Sequence, residues 1–211
     1  MEITNKTIKE RYLLNPCETL ATAFWKEGFF PKPEGLKISH ANDSGISGNG
    51  VRYFRLIHYL DNLNETILPH GYALRTVTMP DESALVADVI NRCYEGYAQT
   101  ADSIKVWTKY PVFDNNLWVF FWDKAINSPA ALGIADFDKN IHEGSLEWIQ
   151  VLPEYRNKGL GQAIVNELLS RLKAHARFVT VSGEVDNKTS PERLYRKCGF
   201  TGNDIWVVEK E

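Results

Sequence analysis

Short runs rich in apolar residues and longer segments with helical periodicity follow one another along this chain, and they predict its strands and helices. The short apolar runs predict strands at 72–77, 117–122, 130–137, 145–152, 178–182 and 205–208. Apolar residues at helical spacing predict helices that begin at Asp81 and at Leu160, and a less regular helical segment ends at Trp107. A short helix is predicted to follow Ser190, its candidate cap. This order predicts an α/β fold, with a mixed, mostly antiparallel sheet flanked by helices.

The first 70 residues do not fit that order. We treat residues 1–70 as an N-terminal extension and residues 71–211 as the main domain. Within the extension, residues 42–50 have the composition of a loop, and residues 51–60 fit either a strand or a short helix.

A basic, glycine-bearing turn joins the strand that ends near Val151 to the helix that begins at Leu160. It reads Leu152-Pro-Glu-Tyr-Arg-Asn-Lys-Gly159. The first N–H groups of a helix have no partners within the helix and lie at the positive end of its dipole, so they bind anions. The turn therefore predicts a site for a phosphorylated ligand. The alternative is an ordinary exposed turn whose glycines serve only the chain reversal.

Two familiar phosphate-binding motifs do not match this turn. A Walker-type loop needs Lys and then Ser or Thr after its last glycine, but Gly161 is followed by Gln162 and Ala163. A dinucleotide motif needs a glycine at position 164, which is Ile164.

The remaining pattern, Arg156-x-x-Gly159-x-Gly161-x-Ala163, resembles the pyrophosphate-binding motif of the GNAT superfamily, the GCN5-related N-acetyltransferases. A second segment, Asn187 followed by Leu194-Tyr195-x-x-x-Gly199-Phe200, is similar to the closing motif of the same family. In that segment Ser190 is a candidate helix cap, Pro191 suits the first helical position and Gly199 suits a left-handed residue after the helix. The two motifs together identify the chain as a small, bacterial-type GNAT protein with an N-terminal extension, and they imply the GNAT (acyl-CoA N-acyltransferase) fold.

The resemblance implies an N-acetyltransferase that moves an acetyl group from acetyl-CoA to a primary amine of a small molecule or protein, by direct attack in a ternary complex. Two alternatives stay open, a noncatalytic acyl-CoA-binding regulatory module and a transferase that uses a longer acyl-CoA. The presence of Tyr195 and of glutamates on the strand before the turn favours the enzyme.

The resemblance also implies the residues that contact acetyl-CoA. The main chain of the strand would pair with the pantetheine amides, the turn and helix start would bind the pyrophosphate, and two residues of the second motif would complete the site. These residues are Ile149, Gln150, Val151, Arg156, Asn157, Lys158, Gly159, Leu160, Gly161, Gln162, Ala163, Asn187 and Tyr195.

Three residues are candidates for proton transfer. Glu147 and Glu143, on the strand before the turn, are candidate bases, and Glu147 comes first because it lies between Leu146 and Trp148, where partial burial would raise its pKa. The alternative for both is a solvated carboxylate. Tyr195 is the candidate acid toward the departing thiolate, and the alternative is a tyrosine that packs its helix onto the sheet.

Composition and residue spacing limit the kinds of partner that we expect this protein to bind. A net charge of -3 gives no general attraction to nucleic acid. Cys17, Cys93 and Cys198 lack the spacing of a metal site, so we expect no metal. The strongest apolar run, 117–122, is too short to cross a membrane, and the polar N-terminus does not resemble a signal peptide, so we expect a cytoplasmic protein. A homodimer is left open. The aromatic residues are candidates for acceptor-pocket walls or for core.

Overall fold

The computed structural model describes residues 7–43, 49–94, 96 and 98–211. Most of the predicted loop at 42–50, including its glycines at 45 and 48, lies outside these ranges. The helices are α1 (Ile8–Leu14), α2 (Pro16–Thr19), α3 (Phe24–Phe29), α4 (Ser83–Cys93), α5 (Ala101–Trp107), α6 (Leu160–Leu172) and α7 (Pro191–Lys197). The strands are β1 (Leu36–His40), β2 (Val51–His58), β3 (Tyr72–Thr76), β4 (Trp118–Asp123), β5 (Ser128–Asp138), β6 (Glu143–Val151), β7 (Phe178–Glu184) and β8 (Thr201–Lys210).

Eight strands of the described residues form one sheet in the order β1-β8-β2-β7-β6-β5-β4-β3. The pair β6–β7 is parallel, and the other neighbouring pairs are antiparallel. The predicted fold class is therefore confirmed. The helix α6 connects the two parallel strands, as a parallel connection requires a crossover.

The N-terminal residues contribute two strands to this sheet. Strand β2 lies between β7 and β8 and β1 lies outside β8, so residues 51–58 form a strand and not a helix. Phe54 and Leu56 of β2 are buried in the same core as the residues of α6. A boundary at residue 70 stays a proposal, and the sheet crosses it.

Two glycines bring α6 close to the sheet. A Cβ added at Gly133 of β5 would lie 2.4 Å from Cγ2 of Ile164, and one added at Gly144 of β6 would lie 2.7 Å from Cδ1 of Leu172. Larger residues at either position would push the helix away. The close packing fixes where the N-terminus of α6 lies relative to the end of β6.

The start of α7 differs from the sequence prediction. Ser190 has a left-handed backbone, with φ 49°, and its side chain makes no capping hydrogen bond. A capping serine normally has an extended backbone that aims its hydroxyl at the first turn, so the predicted cap is wrong. Pro191 at the first helical position and Gly199 with φ 96° are confirmed.

No helix in the described ranges has both the length and the apolar composition needed to cross a membrane.

Candidate active site

The parallel strands β6 and β7 separate part-way along their length. Their pairing runs from Glu143 with Phe178 to Leu146 with Val181. Beyond this point β6 continues to Val151 beside β5, whereas β7 continues beside β2. A bulge in β6, where Ile134 pairs with Trp148 and Ala135 pairs with Leu146, leaves Glu147 as the extra residue. We call the gap between the diverging strands the split.

One edge of β6 faces the split over residues 147–151. Its other edge pairs with β5, where Ile149 is opposite Gly133 and Val151 is opposite Ala131. The predicted main-chain contacts at Ile149, Gln150 and Val151 therefore lie on a strand edge that β7 does not cover. Such an edge can pair with the amide groups of an extended ligand.

The basic turn leads from this strand edge directly into α6. Asn157 and Gly159 both have left-handed backbones, with φ 61° and 81°. Gly159 is the residue before the helix, and no side chain caps α6. Leu160 and Ala163 are buried, whereas residues 156–159 of the turn and Gln162 are exposed. The first N–H groups of α6 are therefore held by a buried helix and open toward solvent, as an anion site requires.

The basic side chains of the turn lie at its surface. The Nε of Arg156 donates a 3.3 Å hydrogen bond to the carbonyl of Val151, and the Nζ of Lys158 lies 4.8 Å from the centre of the Tyr155 ring. Gly161 meets α7, because a Cβ added there would lie 3.2 Å from Cδ2 of Leu194. The structure thus brings the first motif against the second.

Tyr195 projects from α7 into the core beside the split. Its ring packs against Phe54 and Phe200, with centroids 6.1 and 5.7 Å away. Burial raises the pKa of Tyr195, and the nearby Tyr94, Cys198 and Glu147 raise the pKa further. The phenol therefore stays protonated across the physiological range.

Asn187 lies in the turn between β7 and α7. Its Oδ1 accepts hydrogen bonds from the backbone N–H of Thr189 at 2.9 Å and from the Thr189 hydroxyl at 2.7 Å. Its backbone carbonyl accepts from the N–H of Ser190. Asn187 thus holds the turn that leads into α7, and its predicted contact with acetyl-CoA stays a prediction.

On the face of the sheet away from α6, residues 21–26 connect β6 to β7 next to the split. The carbonyl of Ala21 accepts a 3.1 Å hydrogen bond from Ser182 of β7. The backbone N–H of Phe24 donates a 3.0 Å hydrogen bond to Glu143 of β6. We call this segment the N-terminal strap. It places α3 next to the bulge in β6.

Glu147 makes an ion pair with Lys26 of the strap. The two charged atoms, Lys26 Nζ and Glu147 Oε2, are 2.5 Å apart, and the hydroxyl of Ser145 donates to Oε1 at 2.8 Å. Burial would raise the pKa of Glu147, but Lys26 and Ser145 together hold the pKa below its usual value. The nearby Asp136 shows the opposite shift, because burial and the charge of Glu147 raise its pKa well above the usual range.

Glu143 is engaged differently, although it is the other candidate base. Its Oε1 accepts hydrogen bonds from Tyr12 at 2.5 Å and from Thr180 at 2.6 Å, and Oε2 accepts from the N–H of Phe24. Arg55 lies 3.6 Å from the same carboxylate, and both side chains are almost fully buried. This carboxylate holds the strap and α1 on the sheet, so Glu147 is the better placed of the two candidate bases.

Aromatic residues line the same face next to Glu147. The rings of Trp148 and Trp107 stack with their centroids 5.5 Å apart and their planes 10° from parallel. Tyr94 meets Trp148 edge to face at 6.0 Å, and its hydroxyl accepts a 3.3 Å hydrogen bond from Gln150. These residues form an aromatic wall near two carboxyl groups, those of Glu147 and Asp136.

The sequence candidates did not include Lys26 or Asp136. Asp136 interrupts the apolar run of β5, and this could have marked it as a partly buried acid. No feature of the sequence around Lys26 indicates its role. Its position depends on the strap, which contacts β6 although the two are more than a hundred residues apart in sequence. Within the described ranges, no group of three or more His, Cys, Asp or Glu side chains could hold a metal ion.

Comparison with known proteins connects this geometry to a family. Residues 114–202 match the family model described as "Acetyltransferase (GNAT) domain". This range includes the split, the turn and α7. A search of curated proteins finds no significant match.

Solved structures share the fold at low sequence identity. A GCN5-related N-acetyltransferase from Sphaerobacter thermophilus superposes with a TM-score of 0.68 and 16% identity, over 77% of this chain and 51% of that one. The ribosomal-protein-S18-alanine N-acetyltransferase from Escherichia coli gives a TM-score of 0.51 and 17% identity, over 65% of this chain and 90% of that one. This chain therefore spans about half the length of the Sphaerobacter protein.

Proposed function

Residues 114–202 of this chain match the model of a GNAT acetyltransferase domain, and from this match we propose that the protein transfers the acetyl group of acetyl-CoA to a primary amine. The reaction would be a direct attack of the amine in a ternary complex. The observation that carries this proposal is the continuity of the uncovered edge of β6 with the open N-terminus of α6.

That continuity fits the two chemically different parts of coenzyme A. The pantetheine arm is extended and carries amides, which can pair with the main chain of residues 149–151. The pyrophosphate is an anion, which can accept hydrogen bonds from the first N–H groups of α6, near Arg156 and Lys158. With the pyrophosphate at the start of α6 and the pantetheine arm along β6, the thioester at the end of the arm would lie in the split.

An amine must lose its proton before it can attack. With a usual pKa of about 10.4, its neutral form at pH 7 lies roughly 4–5 kcal/mol above the charged form. Glu147 is the proposed base, since it lies at the bulge and its lowered pKa keeps it ionised. A group that accepts the proton directly or through one water contributes typically about 100-fold to the rate.

Tyr195 is the proposed acid that returns a proton to the departing thiolate. Its raised pKa keeps the phenol protonated at neutral and alkaline pH, and its position on α7 brings it near the charge of Glu147. The rings of Phe54 and Phe200 hold the side chain in place.

We call the side of the split that is lined by Glu147 and the aromatic residues the acceptor side. It favours a cationic amine whose ammonium group is attached to an apolar group. Glu147 provides the ionised carboxylate, and Trp148, Trp107 and Tyr94 provide an aromatic wall. Carboxylates and aromatic faces both attract ammonium groups. The acceptor can therefore be a small alkylamine or the lysine side chain or N-terminus of a protein.

The proposal is tested by calorimetry with CoA and acetyl-CoA, followed by an assay of CoA release with a panel of amines and amino-terminal peptides. We expect binding of both ligands and CoA release with at least one amine. Glu147→Gln should lower turnover about 100-fold with CoA affinity retained, and Glu34→Gln, at an exposed site, should change neither. Absence of CoA binding would contradict the proposal. Binding without transfer would favour the noncatalytic alternative, and transfer only from longer thioesters would favour a different acyl donor.

A further inference from the structure

The acceptor side of the split already contains a primary amine of the chain itself. Lys26 Nζ lies 2.5 Å from Oε2 of Glu147, the proposed base. The Lys26 side chain is only 27% exposed, and Glu147 is 18% exposed. Lys26 is therefore a partly buried lysine that is paired with the proposed base.

The strap that carries Lys26 is fixed to both of the strands that diverge at the split. Ser182 of β7 binds the carbonyl of Ala21, and Glu143 of β6 binds the N–H of Phe24. The ring of Trp25 lies 5.7 Å from Nζ of Lys26. The lysine is therefore held by a carboxylate and near an aromatic ring, which are the groups expected to bind an external ammonium acceptor.

We propose that Lys26 is an internal acyl acceptor, modified by its own active site. This inference rests on the proposed function. Glu147 takes one proton from the Lys26 ammonium, and the neutral nitrogen attacks the thioester carbonyl. The carbon–nitrogen bond forms as the carbon–sulfur bond breaks. The nitrogen gives up its second proton as the departing sulfur takes one from Tyr195, the proposed acid, which gives CoA and a neutral amide at Lys26. Glu147 then releases the first proton to solvent.

Acylation would change the acceptor site as well as the lysine. The amide has no positive charge, so the ion pair with Glu147 is lost. Glu147 then becomes available to an external amine. The first turnover would convert a site occupied by Lys26 into one that is open to other acceptors.

The experiment incubates the full chain with acetyl-CoA in the absence of other amines, and follows intact mass, peptide masses and CoA release. We expect one acetyl group on each chain, located at Lys26, at a rate per molecule that does not change with protein concentration. Lys26→Arg keeps the charge of the ion pair but should abolish the modification. Lys105→Arg, at an exposed lysine paired with Asp102, should leave it unchanged.

Glu147→Gln separates enzymatic from spontaneous acylation, and should slow modification of Lys26 roughly 100-fold. Circular dichroism and CoA binding identify any variant that fails to fold. If a variant does not fold, the rate of modification of the wild-type protein and the position of its acetyl group still test the inference. Equal modification of Lys26 and Lys105, or a rate proportional to protein concentration, would overturn the inference. CoA release with external amines while Lys26 stays unmodified would overturn it and leave the proposed function intact. Failure to bind CoA would overturn both.

Discussion

The hydroxyl of Tyr12 donates a 2.5 Å hydrogen bond to the carboxylate of Glu143, and thereby joins the first described helix to the strand at the split. The same hydroxyl accepts a 2.7 Å hydrogen bond from Arg55. Tyr12 is fully buried, so each of these bonds is shielded from water. Through Glu143 this network also holds the N–H of Phe24, the first residue of α3.

Replacing Tyr12 with Phe should lower the free energy of unfolding by about 2 kcal/mol, because two charged groups would each lose a buried hydrogen-bond partner. Urea unfolding measures the change. Tyr59→Phe, at a side chain that is 55% exposed, is the control and should be nearly neutral. Equal stability of the Tyr12 variant and the wild type would show that water replaces the lost hydroxyl.

Replacing Gly159 with Ala should weaken CoA binding roughly tenfold, a change of about 1.4 kcal/mol. Alanine is strained at φ 81°, and relief of the strain would move the first N–H groups of α6. Calorimetry measures the affinity. Gly35→Ala is a matched control, since it also has a positive φ, of 69°, and open space around it. Similar loss of affinity in both variants would indicate general destabilisation.

Replacing Tyr195 with Phe should lower turnover about 100-fold and leave CoA affinity nearly unchanged, as expected for a proton donor. The pKa of Tyr195 is raised above 10.0. Loss of its proton should therefore lower the wild-type rate only above pH 10.0. Steady-state kinetics across pH provide the measurement. Loss of CoA binding with turnover retained would assign the residue to packing.

Replacing Glu82 with Gln should cost about 1 kcal/mol of stability at pH 7. Both carboxylate oxygens accept from Arg75, at 2.8 and 2.6 Å. The hydrogen bonds from Arg75 lower the pKa of Glu82, against a smaller opposing effect of burial. A lowered folded-state pKa stabilises the fold above the ordinary value of 4.5 and loses this effect as pH falls through the folded-state value.

The measurement for Glu82 is urea unfolding of both proteins at pH 7 and at pH values below 4.5. The difference in stability between Glu82→Gln and wild type should shrink as the pH falls. A difference that does not depend on pH would mean that the ion pair with Arg75 contributes nothing and that the substitution only alters packing.

The strands and helices after Tyr72 were predictable because each has a strong local signal. The apolar residues of α6 recur at helical spacing, and Gly199 marks the end of α7. The Ser190 cap was wrong because the same residue type is compatible with several backbone conformations, and the turn held by Asn187 selects the left-handed one.

The amino-acid sequence by itself determined the order of elements after residue 71, the basic turn at the start of α6 and the family resemblance, because periodicity and short motifs are local properties. Only the tertiary structure decided that β2 enters the sheet between β7 and β8, that Glu143 is bound by Tyr12 and Thr180, and that Lys26 meets Glu147. These relationships join residues far apart in the chain, and they depend on strand order and side-chain packing that no local pattern specifies.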